Sequence, residues 1–186
     1  MTAGMEAAPP ALVVIDMQEA FRMPESEWFV TRYQPAAENV MLLTARFADS
    51  VIWTRFVRDP AERGSWGAYY DRWAESRHSP DSPAWDLTFP TPEGATVVSM
   101  PTFSKWGEEV ARLTDGTEHL IICGVATDCC VLATVLGAVD AGKLVTVVVD
   151  ACAGSTAEAH DQAVALMGLL APMVTVAETG PLLNQS

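Results

Sequence analysis

His119-Leu-Ile-Ile-Cys-Gly-Val125 and the residues that follow, Ala126-Thr-Asp-Cys-Cys-Val-Leu-Ala-Thr134, decide how this chain is built. The first seven form an apolar run that reads as a buried strand, and the small residues after it lead to two cysteines opening a helix. A thiol at such a turn can be a nucleophile. The free N–H groups and positive dipole end of a helix lower a cysteine pKa, and the same N–H groups can hold an oxyanion. The competing reading is a small apolar core residue, the common fate of a free cysteine.

Outward from this stretch, Ala11-Leu-Val-Val-Ile-Asp-Met-Gln18 carries five apolar residues and then Asp16, where a strand should end. In an open parallel sheet the carboxyl ends of the strands face one crevice, so Asp16 and Cys130 can meet although far apart in sequence. An acid there can serve as a base. The plainer alternative is an aspartate that caps the following turn.

The rest of the chain alternates strand-like and helix-like segments. Strands are expected at 11–16, 50–56, 96–100, 119–125, 144–150 and 173–178, and helices at 34–48, 105–114, 129–142 and 157–170. Parallel strands need such crossovers. The expected fold is therefore α/β: a three-layer, Rossmann-like α/β/α sandwich around a mostly parallel sheet of about six strands. At 186 residues the chain should form a single domain over 1–186, with a flexible start at 1–9. The run from Val57 to Gly94 is rich in Pro, Trp and Arg and shows no clear periodicity. Long irregular segments in compact domains serve as lids or binding loops, which assigns it to substrate enclosure or a subunit contact.

Composition narrows the partners. A net charge of −13, with two lysines and nine arginines that form no basic patch, argues against nucleic acid and anionic membranes. The start has no basic region followed by an apolar core, and no stretch is long enough to span a bilayer, so a cytoplasmic location is expected. Cysteines 123, 129, 130 and 152 lack the spacing of a disulfide framework and read as free thiols. No metal is expected: adjacent Cys129 and Cys130 are not a zinc-knuckle pair, and His78, His119 and His160 are scattered.

Together, Asp16-Met17-Gln18 with nearby Phe21, and Gly124, Val125, Thr127, Asp128, Cys130, Val131 and Thr134 at their spacing, resemble the isochorismatase-like cysteine hydrolase family. The resemblance covers nearly the whole chain. It implies that Cys130 is the nucleophile, that Cys129 occupies a variable position, and that a non-proline cis peptide joins Val125 and Ala126, turning backbone N–H groups of Val125, Ala126 and Cys130 towards an oxyanion. It also implies homodimers or homotetramers.

One departure bears on mechanism. Many family members carry a lysine at the end of the third strand, four residues before Ser-Ala-Phe, completing an Asp-Lys-Cys triad. Here Met100 takes the lysine position in Val97-Val-Ser-Met-Pro-Thr-Phe-Ser-Lys-Trp106, and Lys105 takes that of the alanine. Lys143 precedes the fifth strand and should lie at the opposite edge of the sheet. Lys105 is thus the lysine expected to fold back to Cys130, against the commoner fate of a solvated lysine at a helix start. Arg55 and Arg58 are weaker substitutes, because arginine does not exchange protons near neutral pH.

The expected function is hydrolysis of the C–N bond of a small amide through a Cys130 thioester, with catalytic Asp16, Lys105 and Cys130 and no cofactor. Members that cleave the vinyl ether of isochorismate lack the cysteine. Nicotinamidases of the family hold a metal after the second strand through an Asp-x-His arrangement, and Trp53-Thr-Arg-Phe-Val-Arg-Asp-Pro60 has no histidine. Phe21, Trp66 and Trp106 are the candidate pocket walls, among a wider aromatic set of Trp28, Trp53, Tyr69, Tyr70 and Trp73. The alternative, prompted by Met100, is a family member that binds a small ligand without turnover.

Overall fold

A computed structural model describes residues 8–184. Of the flexible start expected at 1–9, residues 1–7 therefore lie outside the described residues. In chain order the elements are β1 (Ala11–Ile15), α1 (Glu19–Arg22), α2 (Tyr33–Arg46), β2 (Val51–Phe56), α3 (Trp66–Arg72), β3 (Thr96–Met100) and α4 (Glu108–Leu113). There follow β4 (His119–Val125), a π-helical turn at Thr127–Val131, α5 (Leu132–Asp140), β5 (Leu144–Ala153), α6 (Ala157–Gly168), β6 (Val174–Ala177) and α7 (Thr179–Leu183).

The strands form one sheet in the order β3-β2-β1-β4-β5-β6, and every neighbouring pair is parallel. Helices cover both faces, which is why β1 and, after His119, β4 carry no polar side chain. All five residues of β1 are buried, as are Leu120 to Val125 of β4. Each large apolar side chain so enclosed stabilises the fold by about 1.5–3 kcal/mol. Among the described residues, no helix is long and apolar enough to cross a membrane.

Winding reverses between β1 and β4, so these two strands bound the crevice at the switch point of the sheet. Gly124 makes their close approach possible. It pairs with Ile15, its φ is +116°, and a Cβ on it would stand 2.1 Å from the Ile15 carbonyl oxygen. Beyond these paired residues, Asp16 leaves β1 and the chain after β4 turns into the segment that carries Cys130.

The 57–94 run is more ordered than its sequence suggests. It contains α3 and single 3-10 turns at Ala74–Ser76 and Pro83–Trp85, and its Tyr70 and Trp85 bury with Phe56 of β2 in a cluster of their own. The second expected helix, 105–114, is shorter than the sequence predicts: α4 begins at Glu108, which leaves Lys105 in a loop.

Candidate active site

Asp16 follows β1 with φ at +48°, in the left-handed region that aspartate tolerates better than most residues. Its amide donates to Thr54 Oγ1 at 3.3 Å, and the Thr54 hydroxyl donates to Asp16 Oδ1 at 2.8 Å. Gln18 fixes the turn that follows. Its side chain accepts from the Phe56 amide at 2.8 Å and donates to the carbonyls of Phe56 at 2.9 Å and Trp85 at 2.7 Å. The ends of β1 and β2 and the 57–94 segment are thereby tied together.

Lys105 reaches this point from the loop between β3 and α4. Its Nζ lies 3.0 Å from Asp16 Oδ2, and both side chains are fully buried. The ammonium also donates to the Thr102 carbonyl and lies 4.9 Å from the centre of the Phe56 ring, a cation-π contact that helps hold a desolvated charge. Asp16 Oδ2 nonetheless has no aligned hydrogen-bond donor; the ion pair is close but off-axis. Cys130, itself 3% exposed, meets the same carboxylate and ammonium. The structure thus brings Asp16, Lys105 and Cys130 together.

Electrostatics at the thiol runs against the sequence expectation of a lowered pKa. Burial and the Asp16 carboxylate push Cys130 well above the usual thiol range, and Lys105 only partly offsets them. A helix start lowers a cysteine pKa where water can reach the thiolate, whereas this thiol is dry. Its resting form is neutral, beside a carboxylate that can accept its proton.

The other cysteines differ in their partners. Cys129 is half-buried and points its thiol at Asp128 Oδ2, 3.7 Å away, and burial with that negative charge pushes it up to about 11. Cys123 and Cys152 are buried, and burial pushes both up, Cys152 to about 12.

Val125, Ala126 and Cys130 form the junction between strand and helix. The Val125–Ala126 peptide is cis, and the Ala126 carbonyl accepts from the amides on either side of Cys130, those of Cys129 and Val131, both at 3.1 Å. Hydrogen bonds tie this turn to the loop after β5 and to α6. Asp128 accepts from the Ser155 amide at 2.8 Å and its hydroxyl at 2.7 Å, and Thr127 Oγ1 lies 2.8 Å from His160 Nδ1.

Aromatic rings border this group of residues. Phe56, beneath the Lys105 ammonium, lies 5.7 Å from Trp66, which lies 5.0 Å from Phe103 and 5.4 Å from Tyr69. Phe21 joins the cluster through Trp28 at 5.8 Å. Tyr69 faces the thiols of Cys129 and Cys130, and burial pushes its phenol up, so it stays protonated. Trp106 lies beside α5, where a Cβ added to Gly137 would stand 2.9 Å from the Trp106 Cβ, and it packs on both the main core and the cluster of Ile52, Val98 and Val110. Trp53 is buried in β2 against Phe89, 5.5 Å away. A cleft of about 850 Å³ between α2 and residues 88–95 includes none of Asp16, Lys105 and Cys130.

The other cations weighed from the sequence are occupied away from the thiol. Arg55 donates to Ser99 Oγ at 3.0 and 3.1 Å, Arg58 to Glu62 Oε1 at 2.8 Å, and Lys143 to the carbonyls of Thr114 and Thr117. Met100 turns towards Gly107, where a Cβ would meet its Cε at 2.8 Å. Sequence reasoning gave Thr54 and Gln18 no contacts of their own. Gln18 carried a signal as part of the Asp-Met-Gln motif; Thr54, inside an apolar strand, carried only its polarity.

A buried carboxylate, thiol and ammonium thus meet at the switch point of a six-stranded parallel sheet, where open α/β sheets bind their ligands. The Isochorismatase domain profile matches residues 10–178, and the chain belongs to the isochorismatase family. The isochorismatase family protein YddQ of Bacillus subtilis (strain 168) is 28% identical over 156 residues, 83% of each chain. A cysteine hydrolase from Pseudomonas syringae pv. phaseolicola 1448A has the same fold, with a TM-score of 0.80 and 18% identity over 98% of this chain and 97% of that one. The pyrazinamidase of Pyrococcus horikoshii in complex with zinc gives a TM-score of 0.76 and 27% identity over 91% and 98%. Family membership supports hydrolase function for this chain. The residues after β2 do not fit a metal: Arg58 and Arg77 hold the Glu62 carboxylate at 2.8 and 2.9 Å, and Asp59 accepts from the Ala61 amide at 2.9 Å.

Proposed function

We propose that this protein is an amidase that cleaves the C–N bond of a small amide through a thioester on Cys130. The observation that carries the reading is the fully buried Asp16–Lys105 pair, 3.0 Å across, beside the Cys130 thiol. A buried ion pair is a poor source of stability. One beside a thiol supplies a carboxylate within reach of the proton and a cation to offset the charge.

As the thiol attacks the amide carbonyl carbon, its proton passes to Asp16 and a C–S bond forms. The Lys105 ammonium offsets negative charge in the crevice, and backbone N–H groups of the Val125–Cys130 turn hold the oxyanion. Protonated Asp16 then gives its proton to the departing nitrogen as the C–N bond breaks, which releases ammonia or an amine. Water attacks the thioester with Asp16 again as base; the acid leaves and the thiol is restored. Because the resting thiol is neutral, deprotonation accompanies attack rather than preceding it.

Phe56, Trp66, Tyr69 and Phe103 favour a small substrate with a flat apolar body, and the protonated Tyr69 phenol offers it a donor. A screen of small primary amides for ammonia release tests the reading. Turnover lost in Cys130→Ala and Asp16→Asn supports it, and turnover that persists in both overturns it.

A further inference from the structure

Thr134 lies one helical turn beyond Cys130, and no step above uses it. Its side chain is 1% exposed. The hydroxyl donates to the Cys130 carbonyl at 2.6 Å and accepts from the Lys105 amide at 2.8 Å. A bond from threonine to the carbonyl four residues back is ordinary inside a helix. A second bond, to the amide of a buried residue in a different loop, is not accounted for by helix geometry.

Gly137, the next residue on the same face of α5, adds an independent constraint. A Cβ there would stand 2.9 Å from Trp106 Cβ and 3.3 Å from Ser104 Oγ. α5 therefore offers a hydroxyl and, one turn on, a gap, and residues 104–106 lie against both. The need for such a dock follows from where the lysine sits. A lysine at the end of β3 would have its backbone fixed by the sheet, and Met100 occupies that place. Lys105 lies in a loop, which needs another source of register.

Building on the proposed hydrolase reading, we infer that Thr134 is a positioning residue: its hydroxyl locks the Lys105 backbone to that of Cys130 and so sets the ammonium between Asp16 and the thiol. Valine has nearly the shape of threonine and can make neither bond, whereas serine can make both. The groups that face the Cys130 thiol are Asp16, Lys105, Cys129 and Tyr69.

The test is the rate of Cys130 alkylation by iodoacetamide in the intact protein, located by peptide mass mapping, with Cys129 as internal control. At about pH 8.5, where an ordinary thiol is half ionised, displacing the ammonium should cut the Cys130 rate about tenfold, the effect of one pKa unit on the thiolate fraction. Thr134→Val is expected to show this fall, Thr134→Ser to keep the parent rate, and Cys129 to be unchanged in both. Lys105→Met should lower the rate as well, and adding Thr134→Val to it should lower it no further. An unchanged or increased Cys130 rate in Thr134→Val overturns the inference, as does an equal fall when Lys105 is already absent. If Lys105→Met itself matches the parent, the hydrolase reading loses its lysine and Thr134 has nothing to position. Should Lys105→Met not fold, the contrast between valine and serine at 134 decides.

Discussion

Two aspartate–cysteine pairs flank one turn, Asp128 with Cys129 and Asp16 with Cys130. Asp128 is satisfied: each of its oxygens accepts a hydrogen bond from Ser155, and its cysteine is half-buried. Asp16 is deprived. Thr54 holds one oxygen, the other faces Lys105 without an aligned bond, and water is excluded from the whole pair. Burial and a neighbouring carboxylate push both thiols up, yet only Cys130 has an ammonium opposing that shift. The carboxylate proposed to accept the thiol proton is thus the one short of partners, and the one that ties the turn to its neighbours has them.

The sharpest way to break this contrast is to remove each sulfur in turn. Cys130→Ala should lower amide turnover by at least about a thousandfold, whereas Cys129→Ala should leave it within about threefold. Steady-state assays on whichever amide the screen yields decide the matter. The two aspartates should then separate by kind of damage. Asp16→Asn should cost about 10²–10⁴ in kcat, the range of general acid–base catalysis. Asp128→Asn should act mainly on stability, by about 1–3 kcal/mol for the bonds from Ser155, as read by urea denaturation.

A further test concerns the ion pair. Lys105→Met leaves the Asp16 carboxylate buried without its cation and should destabilise the protein by about 3–5 kcal/mol. Adding Asp16→Asn should recover much of that loss while activity stays absent. Smallest is the pH dependence of the clamp from Thr127 to His160. Burial holds the His160 pKa below its usual 6.5, and Arg32 adds to this. The depressed value means that the stability it contributes is present above about pH 6.5 and is lost as pH falls through the folded pKa. Melting curves of the parent should decline below that pH more steeply than those of His160→Asn.

Much of this site was legible in the sequence because the two strand ends were legible. Apolar runs that stop at Asp16 and Val125 predict strands, and parallel strands share one crevice at their carboxyl ends. Lys105 was reached by elimination: the chain has two lysines, and Lys143 precedes its strand. Thr134 stood in the motif, but nothing local in the sequence pairs its hydroxyl with the amide of Lys105. The sign of the Cys130 shift was misread because a helix start is visible in sequence and the dryness of the site is not. The place of Trp106 against α5 depends on Gly137, whose missing side chain leaves room for it. The helix at Trp66–Arg72 escaped detection because contacts with Phe56, Trp85 and Phe103, distant in sequence, hold it, with no clear apolar period of its own.

The most direct test of the central claim is intact-protein mass spectrometry of the parent during incubation with small primary amides, alongside an assay for released ammonia. The account predicts ammonia release with an acyl adduct that maps to Cys130, both absent from Cys130→Ala. Amides that bind without releasing ammonia, or release that survives in Cys130→Ala without an adduct, would contradict it.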